Sequence, residues 1–394
     1  MNAPHAAAPH RPRVGLLLTG GGARAAYQVG VLQAIAEWLP PGAPTPFAVI
    51  SGSSAGAINA ALLASHAGAF AAGVDALSRL WGRLACSDVF RTDWRAALVS
   101  GLLWTGSLAA GGLGRLTPRS LLDSRPLRAL LGRHIDFAAV RTAIEDGMLH
   151  AFSLSAAGYN SGQSITFFMG HAGLRPWQRT RRIGMPRPLT LDHLMASCAI
   201  PFVFPAVRIG YDWYGDGSMR QIAPLSAPLH LGADRLLVIG VREETPDEPD
   251  RPILRLEYPS PGQIAGYILD TLFMDALSAD IERARRINRT LALIPPERRA
   301  QLALRPIEIA TVFPSRDVRL IAAHHEAHFP RSVRYLLHSL GATRGRGRPL
   351  ISYLLFEGGF CGELIALGYR DAQDARERLC TLLGLAHPAA TLRP

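Results

Sequence analysis

Twice near its N-terminus the chain passes from a short apolar strand, through a run of small residues, into a helix. Val14-Gly15-Leu16-Leu17-Leu18 reads as a buried strand and Thr19-Gly20-Gly21-Gly22 as a loop. Ala23 to Leu39 follows as a helix, with Ala26, Val29, Leu32, Ala36 and Leu39 at helical spacing. The unit recurs as the apolar run Phe47-Ala48-Val49-Ile50, the turn Gly52-Ser53-Ser54-Ala55-Gly56 and the helix-like stretch Ala57 to Leu63. An α/β architecture accommodates that alternation, and 394 residues with 48% hydrophobic side chains suffice for one large α/β domain plus an extension.

Each turn carries a chemical reading. Ser54 stands among small residues between strand and helix, the arrangement of a nucleophile elbow. Such a turn holds the hydroxyl clear of the backbone, and the helix N-terminus beyond it favours developing negative charge. Gly20, Gly21 and Gly22 allow backbone N–H groups to converge on one anion, whether a phosphate or the oxyanion of an acyl-transfer intermediate. Gly20-Gly21-Gly22-Ala23-Arg24-Ala25 also satisfies the G-x-G-x-x-A dinucleotide pattern. The ribose-binding carboxylate of that pattern is missing, because the second strand ends at Ile50 and runs into Ser51-Gly52-Ser53-Ser54. A P-loop is ruled out as well, since no Gly-Lys-Ser/Thr follows the glycines.

A third element lies far downstream. Tyr214-Gly215-Asp216-Gly217-Ser218 follows the Pro-marked stretch Ile200-Pro201-Phe202-Val203-Phe204-Pro205, at the end of an expected strand from Val207 to Tyr214. A carboxylate between two glycines either reaches across to another loop or occupies an ordinary β-turn.

Together these three elements resemble the patatin-like phospholipase family. Gly20-Gly21-Gly22-Ala23-Arg24 is similar to its glycine-rich oxyanion loop, Gly52-Ser53-Ser54-Ala55-Gly56 to its lipase motif, and Asp216-Gly217 to its Asp-Gly motif. Ala196-Ser197-Cys198-Ala199-Ile200-Pro201 through Phe204-Pro205 resembles the segment ahead of the aspartate in bacterial members, and the similarity runs from about Arg13 to Val241. The resemblance implies a three-layer α/β/α fold with a mostly parallel central sheet and a mainly helical C-terminal extension. It also implies a serine acyl hydrolase that cleaves lipid esters through an acyl-enzyme. Ser54 would be the nucleophile, Asp216 its proton acceptor, and the Gly20, Gly21 and Gly22 amides the oxyanion donors. Arg24 would brace their loop, while Gly52 and Gly56 let the elbow close. No histidine, metal or other cofactor is required. Two departures stand out: Ala25 where the family often has Gly, and Ser218 where Asp-Gly-Gly is usual. A catalytically silent scaffold at a membrane surface is the alternative for such a fold.

An ordinary α/β-hydrolase with a Ser-Asp-His triad fits less well, because this elbow follows a single strand-helix unit. His230, His324, His325, His328 and His338 therefore read as packing or surface residues. His324 and His328 stand one helical turn apart, but His325-Glu326-Ala327-His328 is one residue short of the zincin spacing. No carboxylate-rich loop has calcium-ligand spacing. Cys86, Cys198, Cys361 and Cys380 are scattered, as expected of reduced thiols in a cytoplasmic protein.

The net charge of +11 comes entirely from arginine, since the sequence holds no lysine. It favours peripheral association with an anionic membrane surface. The arginines are dispersed and no nucleic-acid-binding motif appears, so nucleic acid is not the expected partner.

Residues 1–12 read as a disordered tail, 13–241 as the catalytic core and 242–394 as an extension packed on it. The uncharged stretch Ala96 to Gly114 is rich in glycine and sits inside the globular region, which argues against a spanning helix. It reads either as an interfacial lid, with Trp94, Leu98, Leu102, Leu103 and Trp104 dipping into headgroups, or as a buried helix and loop. Glu243 to Gln263 reads as a Pro-rich loop and Ile264 to Leu291 as one long amphipathic helix. Arg283, Arg285, Arg286 and Arg289 at its end face either solvent or lipid phosphates. Ile307 to Phe313 is an expected strand, Gly341 to Pro349 a flexible loop, and Ile351 to Tyr369 a helix broken at Gly358-Gly359. This last region packs on the core or mediates homodimerisation.

Overall fold

The computed structural model describes residues 12–91, 120–243, 258, 260–271, 276–299, 301–302, 304–339, 341–342 and 348–385. The N-terminal tail, the stretch Ala96 to Gly114 and most of the 243–263 loop lie outside the described residues.

The fold is built on one sheet whose centre is parallel. Its strands are β1 (Val14–Leu18), β2 (Val49–Ser53), β3 (Ala151–Gly158), β4 (Ser164–Gly170), β5 (Trp177–Arg179), β6 (Arg182–Pro186), β7 (Val207–Ile209), β8 (Asp212–Asp216), β9 (Arg235–Ile239) and β10 (Glu308–Val312). The order is β10-β9-β1-β2-β3-β4-β6-β5, with β8 pairing β3 and β7 pairing β8. From β10 to β3 every pairing is parallel, whereas β4 runs antiparallel to β3. Parallel strands covered on both faces must be apolar on both, and β1 is buried throughout. Leu16 and Leu18 enter the larger core, under the helices α1 (Ala26–Trp38), α2 (Ala55–Ser65) and α3 (Phe70–Gly82). Leu17 enters the smaller core on the opposite face, with Leu236, Leu277 and Ile281. This is a three-layer α/β/α arrangement with a helical C-terminal region.

C-terminal residues enter both the sheet and the helical layer around α1. The strand expected at Ile307 to Phe313 is β10, an edge of the central sheet. The helix Gly358–Asp374 packs along α1 so closely that a Cβ on Gly30 would meet the Ile365 carbonyl at 1.8 Å.

Several expected elements differ in detail. Val207 to Tyr214 is a hairpin, because Gly210 at φ 60° turns the chain between β7 and β8. Of the helix expected from Ile264 to Leu291 the described residues show Pro261–Asp270, capped by Ser260 and Gln263, and Ala276–Ala292; residues 272–275 lie outside the described residues. The break expected at Gly358-Gly359 lies just ahead of the pair: one helix is Arg348–Leu354 and the next, Gly358–Asp374, begins at Gly358. His324 and His328 do not share a helix: Val318–His324 ends there, and His328 belongs to the 3-10 turn Glu326–His328. Among the described residues no helix is long and apolar enough to cross a membrane, and none of their carboxylates, histidines or thiols gather into a metal-holding group.

Candidate active site

Strand register brings Ser54 and Asp216 together. Along one edge of β3, β2 pairs as far as Ser53 opposite Ser155. The next position on β3, Ala156, is opposite Asp216 of the incoming β8. The residue leaving β2 and the last residue of β8 therefore meet at one point of the sheet, although 162 positions separate them. There the Ser54 hydroxyl donates to Asp216 Oδ2 at 2.5 Å.

The turn at Ser54 is strained. Its φ of 52° is a left-handed value that a non-glycine residue adopts only under constraint. Two hydrogen bonds and the immediate start of a helix supply that constraint. The Ser54 N–H donates to Ser197 Oγ at 3.0 Å, the Cys198 thiol donates to the Ser54 carbonyl at 3.2 Å, and α2 starts at once with Ala55. Gly56 is needed for close approach, since a Cβ there would meet the Leu18 carbonyl at 2.3 Å.

Asp216 is buried, 1% exposed. Burial pushes its carboxyl up to about 6, against the Ser54 hydroxyl and the Ser218 N–H, which both favour the charged form. A carboxylate of that basicity is ionised at neutral pH yet takes a proton more readily than an exposed one. We expect kcat/KM for a soluble ester to fall about tenfold per pH unit below about pH 6, as Asp216 becomes protonated. A pH-rate profile that stays flat to pH 4.5 would detach Asp216 from the reaction.

The glycine loop follows β1, next to the elbow that follows β2. Gly22 has φ 56° and opens a 3-10 turn, Gly22–Ala25, ahead of α1. Behind the loop lies a buried polar chain that the sequence reading missed. Trp81 Nε1 donates to Asn59 Oδ1, Asn59 Nδ2 to Gln28 Oε1 and the Ala25 carbonyl, and Gln28 Nε2 to the Thr19 carbonyl, at 2.7 to 3.0 Å. These side chains tie α3, α2 and α1 to the backbone of the glycine loop.

Arg24 is fully buried and points away from Ser54's loop into the C-terminal region. Its Nη1 pairs with Asp270 Oδ1 at 2.9 Å, its Nε donates to Ser352 Oγ at 2.8 Å, and its guanidinium lies 3.8 Å from the centre of the Tyr353 ring. The Tyr353 hydroxyl closes the cluster by donating to Asp270 Oδ1 at 2.8 Å. Gly22 abuts the same segment, with space for no side chain: a Cβ would meet the Tyr353 carbonyl at 2.2 Å. Asp270, Ser352 and Tyr353 carry no local motif, so only the three-dimensional contact reveals them.

Ser54 opens onto a narrow cavity whose walls are almost wholly apolar, including Ile58, Trp81, Leu131, Phe204 and Phe356. Gly22 also lines it, so the nucleophile and the glycine loop face one space. No histidine is among its lining residues.

The family model described as patatin-like phospholipase matches residues 16–229, more than half of the chain. The chain belongs to that family, whose members are lipid acyl hydrolases. Among solved structures, the chain is similar to VipD from Legionella pneumophila, at 11% identity and a TM-score of 0.33, over 90% of this chain and 67% of that one. A second is the type III effector protein ExoU, at 16% identity and a TM-score of 0.27, over 84% of this chain. This chain spans 63% of ExoU's length. No curated protein gives a match.

Proposed function

We propose that this chain is a serine acyl hydrolase that cleaves lipid carboxylic esters through a Ser54-Asp216 dyad and an acyl-enzyme. The 2.5 Å bond from Ser54, which lines an apolar cavity, to the buried, basic carboxylate of Asp216 carries this reading. The acyl chain lies along the apolar walls, which places the ester carbonyl beside Ser54 Oγ. Asp216 takes the serine proton as Oγ attacks, and the Gly20, Gly21 and Gly22 amides receive the charge that develops on the carbonyl oxygen. Asp216 then returns its proton to the departing alcohol, and water completes the cycle by hydrolysing the ester on Ser54. In this reading residues 13–241 form the catalytic core and the C-terminal helices brace its glycine loop through Arg24.

An anionic membrane surface is the proposed place of action. The net charge of +11 supports attraction to it. So does the cavity rim, where Phe202 is 74% exposed between the lining residues Ile200 and Phe204, beside the exposed Leu121 whose N–H bonds the Phe202 carbonyl. Hydrolysis of p-nitrophenyl esters and of anionic phospholipid vesicles tests both parts. Phe202→Asp is expected to lower the vesicle rate about tenfold, roughly the worth of one inserted aromatic side chain, and the soluble-ester rate much less. Equal losses on both substrates would remove the membrane from the proposal, and no hydrolysis of either would remove the enzyme.

A further inference from the structure

The strands that carry Ser54 and Asp216 pair with β3 and not with each other: β2 holds to it as far as Ser53, and β8 meets it from Tyr214 to Asp216. That pairing fixes the position of each residue along β3 but joins neither backbone to the other.

One short segment grips both. Ser197, the last residue of the helix Leu191–Ser197, accepts the Ser54 N–H on its Oγ at 3.0 Å. Cys198 donates its thiol to the Ser54 carbonyl at 3.2 Å. The carbonyl of Ala199, next in the chain, accepts the Asp216 N–H at 2.8 Å. Three consecutive residues thus hold the nucleophile by its N–H and its carbonyl, and its partner carboxylate residue by its N–H. All three are buried, so water does not compete for these bonds. The segment is itself fixed to the helix end, because the Cys198 N–H returns to the Leu194 and Met195 carbonyls at 3.1 and 3.2 Å and the Ala199 N–H to that of Ala196 at 3.2 Å.

Cys198 suits this place chemically. Burial, and then the Asp216 charge, push its thiol well up, so it stays a protonated donor and not a competing nucleophile. It lines the apolar cavity beside Ser54, where a thiol bonds a carbonyl while adding little polarity. Ser197 is not among the residues that line that cavity, so a change there reaches the reaction only through Ser54.

We propose that Ser197-Cys198-Ala199 is the clamp that sets the spacing of the Ser54-Asp216 pair, with Ser197 and Cys198 as positioning residues for the nucleophile. The inference rests on the dyad reading above. By holding Ser54 at its φ of 52° with Asp216 alongside, the clamp keeps Oγ and Oδ2 at 2.5 Å. Without either bond the Ser54 backbone relaxes from its left-handed value and the hydroxyl leaves the carboxylate in a larger share of molecules, which slows the chemical step and not substrate binding.

The test is the reaction of the full-length chain with a fluorophosphonate probe, followed to completion. The final labelled fraction counts folded sites, and the rate constant reports how well each is activated. Ser197→Ala and Cys198→Ala are each expected to reach the wild-type extent about fivefold more slowly, the worth of one hydrogen bond. Cys198→Ser, which keeps a donor, is expected to recover most of the rate. With p-nitrophenyl butyrate, Ser197→Ala is expected to lower kcat about fivefold and to leave KM unchanged. Wild-type labelling rates in both alanine variants overturn the proposal, as does a reduced final extent at an unchanged rate, which would mark the segment as needed only for folding. A Cys198→Ser variant as slow as Cys198→Ala overturns the part given to the thiol. A wild-type chain that is not labelled at Ser54 instead overturns the dyad reading, and the clamp with it.

Discussion

Asp216→Asn is expected to lower kcat/KM for a soluble ester by about 10³ to 10⁴ while making the folded chain more stable at neutral pH. Loss of activity follows because asparagine cannot accept the Ser54 proton, and a positioned general base contributes on that scale. The gain in stability follows from burial. Folding raises the Asp216 carboxyl from an ordinary 3.8 to about 6. The stability this proton affinity contributes is complete below pH 3.8 and is lost as pH rises through about 6. At pH 7 the ionised group therefore costs on the order of 3 kcal/mol, which asparagine removes. Thermal melts at pH 7 and pH 4 check the sign: the variant's advantage is expected at pH 7 and absent at pH 4. A variant less stable than wild type at pH 7 would contradict the claim that Asp216 is held there at a cost for its basicity.

Asp270→Ala is expected to cost about 3–5 kcal/mol in stability and about 10² in kcat, although Asp270 bonds neither Ser54 nor Asp216. The stability term arises because Arg24 would be left charged, fully buried and without its carboxylate. The activity term arises because Arg24 and Gly22 belong to one short loop, and an oxyanion donor moved out of place costs about that much. A double replacement separates the two. Arg24→Met with Asp270→Leu fills the site without charge and is expected to restore most of the stability but not the activity. Full recovery of both would show that the pair acts only on folding.

The parts of this protein that were legible in its sequence are those whose chemistry lies in consecutive residues. The glycine loop, the serine turn and Asp216-Gly217 could be placed because a tight turn selects small residues locally. Strand β10 was legible because Ile307, Ile309 and Thr311 place a β-branched residue at every second position. The contact between Ser54 and Asp216 was not written locally; it depends on β8 entering beside β3 where β2 stops. The hairpin at Gly210 was missed because Trp213 and Tyr214 continue the apolar run beyond it, although Gly210-Tyr211-Asp212 carries a turn signal. The partners of Arg24 lie 246 and 328 positions downstream, and an aspartate or serine in a helix gives no sign of which loop it will meet. Gln28 and Asn59 were hidden for a related reason: each is a lone amide in an almost wholly apolar, fully buried stretch of helix, and nothing local says which backbone groups it will meet.

The most direct test of the central claim is labelling of the purified chain with a fluorophosphonate probe, mapped by peptide mass spectrometry beside Ser54→Ala and Asp216→Ala. The account predicts a single labelled site at Ser54, absent in Ser54→Ala and at least 10²-fold slower in Asp216→Ala, the scale of a lost general base. Labelling at another serine, or labelling at Ser54 that is indifferent to Asp216, would contradict it.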